Sequence, residues 1–266
     1  MENLPIIVVN LFIPISAGLI FFALARYVRY IAPIRHFSAG KATYDQAYYG
    51  FIAFGLYLAT RPLQILVGPH PFPLIVNNIR EFFMIGVFGP SVFLSIYGLA
   101  YGGENIKKSM VWTVYSTCII FAIIFGLVNI RAIGGSEPIF YIGSYAAYDG
   151  LWFKDMTQQR SLLMTILFIC RLVSPVIILA AGATIALHRA AAYPEDRKKL
   201  YSNMPKKLVL SAIGTYCFSF SMLSVGAVWI LGGIPNQWWG YYIGAFLAGF
   251  FEAWSISLPI RKEQDL

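Results

Sequence analysis

The chain has 266 residues, of which 58% are hydrophobic and 12% charged, and its mean hydropathy is +0.67. Soluble domains carry about 25% charged residues, so this composition excludes a water-soluble fold and predicts an all-α integral membrane protein. The net charge of +8 could suit nucleic acid. Most of the basic residues, however, lie in short loops where they set membrane topology, so no nucleic-acid partner is expected.

Seven apolar segments follow one another along the chain, each near the length that a helix needs to cross a bilayer. They do not alternate apolar and polar residues as barrel strands do, so we predict a bundle of seven transmembrane helices. The first segment lacks the basic start and the cleavage site of a signal peptide, so we expect it to be retained. The predicted spans form one domain over residues 1–266 and cover 4–28, 48–67, 82–101, 110–130, 162–187, 208–231 and 238–259.

The distribution of lysine and arginine predicts the orientation. Fourteen of the 20 basic residues lie in the last turn of spans 1, 3, 5 and 7 or follow these spans. Short loops rich in these residues stay in the cytoplasm, so the N-terminus should lie outside and the C-terminus in the cytoplasm, and a bacterial inner membrane is the expected location. The longest outer connection, residues 132–161, should either cover the bundle as a lid or lie at headgroup level, because it holds several aromatic residues: Phe140, Tyr141, Tyr145, Tyr148, Trp152 and Phe153.

Four arginines lie at similar depth toward the outer side: Arg61 in span 2, Arg80 at the start of span 3, Arg131 at the end of span 4 and Arg171 in span 5. A charged group in a membrane costs about 2.5 to 3.5 kcal/mol on insertion scales, so each needs a partner or a function. Arg80 and Arg131 could instead extend to lipid headgroups. Arg61 and Arg171 are expected to face one water-accessible, outward-opening cavity that binds an anion.

Helical spacing predicts which residues accompany Arg61. Tyr57 and Gln64 share its helical face and are therefore candidate ligand-binding residues. Pro62 follows Arg61, and Pro175 follows Arg171 closely. A proline inside a span leaves a carbonyl without its helical donor, so irregular backbone is expected beside both arginines.

Span 7 contains Gly240, Gly244, Ala248 and Glu252 at intervals of four residues. Three small residues on one stripe let a neighbouring helix approach closely, so Glu252 should face protein and not lipid. It is a further candidate ligand-binding residue that needs a cation or a hydrogen-bond donor. The alternative is a neutral structural acid bonded to a serine or a backbone carbonyl.

Several chemistries are excluded by the motifs that the sequence lacks. No lysine lies within a predicted span, so a retinal Schiff base has no attachment point, and all three histidines lie near span ends, which excludes a haem held by two histidines in the bilayer core. There is no phosphate-binding glycine loop, zinc-protease motif or serine-hydrolase motif. We therefore expect no metal, no cofactor and no enzyme activity.

Seven spans, an external N-terminus and basic inner loops resemble, in topology alone, seven-helix receptors and the membrane sensor modules of bacterial signalling proteins. The leading hypothesis is a receptor that binds a small anionic or amphiphilic ligand and signals to a separate cytoplasmic protein. One alternative is a transporter or channel subunit in which Arg171 and Glu252 line the path. Another is the membrane anchor of a larger complex, such as a respiratory complex with a quinone site.

Overall fold

The computed structural model describes residues 4–30, 40–68, 71–131, 140–142, 144–147, 162–230 and 239–259. Almost all of these residues are helical. We number the helices α1 (residues 4–30), α2 (Lys41–Ala59), α3 (Arg61–Leu66), α4 (Phe72–Tyr101), α5 (Lys108–Arg131), α6 (Leu162–Ala191), α7 (Glu195–Leu200), α8 (Met204–Ile230) and α9 (Trp239–Ser257). A single 3-10 turn, Gly103–Asn105, follows α4.

Five helices of the described residues are long and apolar enough to cross a membrane: Val8–Tyr30, Phe72–Tyr101, Lys108–Gly126, Val173–Ala191 and Met204–Ala227. The prediction of a helical, multi-pass membrane protein is thereby confirmed, and these apolar helices suit a lipid bilayer. The number of seven spans and the orientation of the termini stay predictions. The connection between α5 and α6 contains an antiparallel hairpin, β1 (Phe140–Ile142) and β2 (Tyr145–Ala147), which the helical expectation missed.

Six helices form a closed ring. In order around the ring, α1 packs on α2, α2 on α4, α4 on α6, α6 on α8, α8 on α9, and α9 on α1. We call these six the ring helices. Helix α5 lies outside the ring against α4, and much of its apolar surface faces outward, with Trp112 72% exposed. The Tyr115 hydroxyl of α5 bonds to Ser91 of α4 at 2.6 Å and donates to Gln46 of α2 at 2.8 Å, so α5 is attached to two ring helices.

Helix α2 ends where the sequence predicts irregular backbone. Thr60 has φ −86° and ψ 2°, and α3 starts at Arg61 with Pro62 in its first turn. Pro62 has no N–H to donate to the preceding turn, and the Thr60 hydroxyl bonds to the Leu56 carbonyl at 2.6 Å. The predicted span 2 is therefore two helices, and the predicted span 3 starts earlier, at Phe72. Helix α6, in contrast, continues through Pro175.

Two wider turns interrupt the ring helices. Residues Val8–Phe12 of α1 and Phe82–Phe88 of α4 are π-helical, and such turns frequently occur at functional sites. Asn10 lies in the first of them, and Arg80 lies two residues before the second. Together with the break at Thr60, these irregular turns occur in three different helices.

Small residues bring α8 and α9 close together, as predicted for span 7. A methyl group added at Gly244 would collide with Ser221 of α8, and one added at Gly240 would lie 3.1 Å from Val225. Ala248 lies against Gly214, on the next turn of the same stripe. The stripe therefore faces α8, and Glu252 follows it on the same side of α9.

Candidate ligand-binding site

The centre of the ring holds a cavity, which we call the central cavity. The empty space within this cavity and at its open mouth totals about 850 Å³. Every ring helix contributes to its lining. The cavity lies toward the end of the ring that contains Lys207, near the carboxyl ends of α1, α4 and α9 and the amino ends of α2 and α8. We call this end the lysine end.

Glu252 of α9 provides the carboxylate of the central cavity. The Ser211 hydroxyl of α8 donates to Glu252 Oε1 at 2.6 Å. Glu252 is half-buried and lines the cavity, and within the described part of the chain this is its one hydrogen bond. Its second carboxyl oxygen therefore retains its capacity to accept. Glu252 thus has a hydrogen-bond donor, the serine hydroxyl named in the alternative to a ligand-binding role.

Lys207 of α8 is the second charged group in the cavity wall, and it is 4% exposed. Its ammonium group has three N–H donors and bonds to three carbonyls at the carboxyl end of α9 and directly after it, those of Ser255 (2.6 Å), Ile256 (3.4 Å) and Leu258 (2.8 Å). A cation there also complements the negative end of the helix dipole. Lys207 therefore fixes the carboxyl end of α9, and it makes no direct ion pair with Glu252 or any other described carboxylate.

Most of the remaining cavity wall is apolar and aromatic. Phe21, Phe51, Phe88 and Phe218 come from four different ring helices and all line the cavity. Three of these rings pack on the fully buried Phe54, with centroid distances of 4.6 Å for Phe21, 4.3 Å for Phe88 and 4.9 Å for Phe218. This aromatic layer closes the cavity toward the end of the ring that holds the arginines.

A second polar site, the arginine cluster, lies beyond that layer. It consists of five buried residues from α1, α3 and α4: Asn10, Arg61, Gln64, Asn77 and Arg80. Arg61 and Arg80 are each 4% exposed, and both donate an Nη1 hydrogen bond to Gln64 Oε1, at 3.0 Å from Arg61. Arg61 Nη2 also donates to Asn10 Oδ1 at 2.9 Å. One amide oxygen, from a residue with no exposed surface, thus accepts from two guanidinium groups.

Arg80 is held by α2 as well. Its Nε donates to the Tyr57 carbonyl at 2.9 Å, in the last turn before the break at Thr60, and its guanidinium lies 4.6 Å from the centre of the Tyr57 ring. That ring stacks on Phe54 at 6.0 Å. The arginine cluster and the central cavity are therefore joined by one column of aromatic rings, Tyr57 and Phe54, both on α2.

The structure brings together four of the seven residues predicted as ligand-binding. Arg61, Gln64 and Arg80 meet in the arginine cluster, and Tyr57 contacts it through Arg80, whereas Glu252 lies in the wall of the central cavity. Arg61 is buried among amide groups, in place of the open, water-accessible setting expected from the sequence. The side chains of the last two, Arg131 and Arg171, lie outside the described residues.

Sequence analysis missed three residues of the cavity. Lys207 was assigned to an inner loop, but α8 begins at Met204 and buries it. Ser211 and Ser95 are common residues that carry no motif. The one available signal was periodicity, because Lys207, Ser211, Thr215 and Ser219 follow one another at four-residue intervals along one face of α8.

Comparison with protein-family models, curated proteins and solved structures finds no match to this chain. The described residues contain no cluster of His, Cys, Asp or Glu that could hold a metal ion. The fold and the cavity thus define the class of protein, a multi-pass helical membrane protein with a cavity at the centre of its ring of helices.

Proposed function

We propose that this protein is a membrane receptor or sensor module that binds a small amphiphilic molecule in the central cavity. The observation that carries the proposal is the cavity itself, which all six ring helices line and which has aromatic walls and a polar region at Glu252. A ligand with one polar end and one apolar part would place its polar end at Glu252 and its apolar part against the aromatic walls. The sequence predicted a ligand site at the arginines, whereas the proposed site lies at the centre of the ring.

The proposed topology has seven spans, with α2 and α3 together as the second and α9 as the seventh, in a bacterial inner membrane. The lysine and arginine bias places the lysine end at the cytoplasmic side. The cavity would then lie in the inner half of the bundle, next to the end of α9 that leads to the C-terminus. We propose that the signal passes to a separate cytoplasmic protein.

Cavity-filling variants test the proposal. Ala47 is half-buried and lines the cavity, whereas Ala181 is exposed on the outer face of α6. We expect saturable binding of radiolabelled phenylbutanol to nanodiscs of the wild type and of Ala181→Phe, after subtraction of empty nanodiscs, and no saturable binding to Ala47→Phe. Equal binding to the two variants would contradict the proposal.

Transport is a second candidate function, and one observation favours it. Glu252 is a half-buried carboxylate on α9 that lines the central cavity. Carboxylates in the helices of membrane proteins often lie on ion or substrate paths. Proteoliposomes loaded with radiolabelled tetraethylammonium, which does not cross bilayers, separate the two candidates. A receptor retains the cation, whereas a carrier releases it at a rate that falls in Glu252→Gln.

A further inference from the structure

The polar groups that line the central cavity differ in whether they can still bond to a ligand. Ser211 donates to Glu252, Thr215 donates to the Ser211 carbonyl at 2.8 Å, and Ser255 donates to the Lys207 carbonyl at 3.0 Å. These hydroxyl protons are already used within and between α8 and α9. A ligand that required any of them as a donor would have to break an existing hydrogen bond.

Lys207 is the cation that an anionic ligand would be expected to seek, but its three N–H donors already bond to three backbone carbonyls of α9. Binding an anion at Lys207 would leave buried carbonyls without a donor at the end of α9, which is unfavourable. The local structure therefore disfavours an anionic group at this position.

Glu252, by contrast, has an oxygen that can still accept. On the other side of the cavity, Ser95 of α4 is half-buried and has no hydrogen-bond partner within the described part of the chain. The polar region thus offers a carboxylate acceptor from one wall and a hydroxyl from the other.

The aromatic lining also favours a ligand that carries a positive charge. Phe21, Phe51, Phe88 and Phe218 present rings to the same cavity, and aromatic faces attract cations through their quadrupole as well as packing on apolar groups. A carboxylate combined with several aromatic rings is a binding environment for an ammonium group that carries an apolar body.

From this arrangement we propose that the ligand of the central cavity is a cationic amphiphile: a protonated amine that donates to Glu252 and Ser95, with an apolar part among the four phenylalanines. This inference rests on the proposed function and specifies its ligand. It replaces the anionic class that the arginines suggested, because those arginines lie beyond the aromatic layer and not in the cavity wall.

Three probes with the same apolar part test the proposal: phenylbutylamine, phenylbutanol and phenylbutanoate. Binding is measured by equilibrium dialysis against wild-type nanodiscs of phosphatidylcholine, with empty nanodiscs subtracted. We expect the amine to bind about tenfold more tightly than the alcohol, or better, because a hydrogen bond between charged groups is stronger than a neutral one. Phenylbutanoate should bind least.

Glu252→Gln is the matched variant, since its amide oxygen can still accept from Ser211 and its volume is nearly unchanged. In this variant the amine should lose its advantage of about tenfold, while the affinity for the alcohol stays the same. An unchanged unfolding temperature verifies the fold. A preference for the alcohol or the carboxylate in the wild type, or an amine preference that survives in Glu252→Gln, would overturn the proposed ligand class.

The outcome with Ala47→Phe separates failure of this inference from failure of the proposed function. If amine and alcohol bind the wild type equally and both are lost in Ala47→Phe, the cavity is a binding site but the amine class is wrong. If Ala47→Phe binds the probes as the wild type does, or if the wild type binds none of them, the cavity site and the amine class both fail.

Discussion

Replacing Gln64 with leucine removes the one amide oxygen that accepts hydrogen bonds from both Arg61 and Arg80. The volume of the side chain changes little, and Gln64 has no exposed surface, so water cannot replace the lost acceptor. A hydrogen bond to a charged group contributes about 1.5 to 3 kcal/mol, so the loss of two should lower the free energy of unfolding by about 3 to 6 kcal/mol. Titration with SDS in mixed micelles measures this change.

Two control variants separate the loss of the acceptor from other effects. Gln46→Leu makes the same substitution on α2, where the amide oxygen accepts one neutral hydrogen bond from Tyr115, and should cost about 0.5 to 1.5 kcal/mol. Gln64→Glu retains an acceptor for both guanidinium groups but loses the donor that Gln64 Nε2 offers Asn77 Oδ1 at 3.4 Å, so it should recover most of the stability that Gln64→Leu loses. A cost for Gln64→Leu no larger than that for Gln46→Leu would refute the argument that Gln64 holds the arginine cluster together.

Three further substitutions test other parts of the fold. Gly244→Val should lower the free energy of unfolding by about 1 to 3 kcal/mol, because α8 leaves no room for the added methyl groups, whereas Leu247→Val at an exposed position of α9 should change it less. Tyr115→Phe should cost about 1 to 2 kcal/mol, because it removes both hydroxyl hydrogen bonds between α5 and the ring. The third experiment replaces the native cysteines with alanine and adds one cysteine at Ser144 or at Ser109, both of which are exposed in the fold. The distribution of lysine and arginine assigns Ser144 to the outside and Ser109 to the cytoplasm, so an impermeant maleimide on intact cells should label Ser144→Cys and not Ser109→Cys.

Each of these experiments has an outcome that contradicts its reasoning. Equal stability of the variants at Gly244 and Leu247 would mean that α8 and α9 do not pack through the small residues. An unchanged stability of Tyr115→Phe would mean that its two hydroxyl hydrogen bonds contribute little to the attachment of α5, which Asn78 of α4 also contacts by donating to the Gly126 carbonyl at 3.3 Å. Labelling of Ser109→Cys and protection of Ser144→Cys would reverse the orientation and move the lysine end to the outside.

Local patterns predicted the parts of the structure that depend on one helix and its immediate neighbour. Pro62 predicted the break after α2, because a proline has no backbone N–H and interrupts the helical hydrogen bonds within one turn. The stripe of Gly240, Gly244 and Ala248 gave the contact of α9 with a neighbouring helix, because spacing of four residues defines one face. The grouping of Tyr57, Arg61 and Gln64 followed from the same rule.

The central cavity could not be predicted in this way, because it depends on how six helices close into a ring. The four phenylalanines that line it are far apart in the sequence, and nothing in the local pattern distinguishes them from core residues. The sequence predicts a loop position for Lys207, because the apolar segment that defines span 6 begins at residue 208. Its partners are backbone carbonyls of α9, which no side-chain motif reveals.

The measurement that tests the central claim most directly is photolabelling of wild-type nanodiscs with a diazirine derivative of phenylbutanol, followed by identification of the modified residues by mass spectrometry. A neutral probe makes the result independent of the charge proposed for the ligand. The account predicts adducts on the cavity wall, at residues such as Phe51 and Phe218, that disappear when excess phenylbutanol competes. Adducts confined to outward-facing positions such as Trp112 of α5, unaffected by the competitor, would show that the probe contacts the protein only from the bilayer and would contradict a ligand site inside the ring.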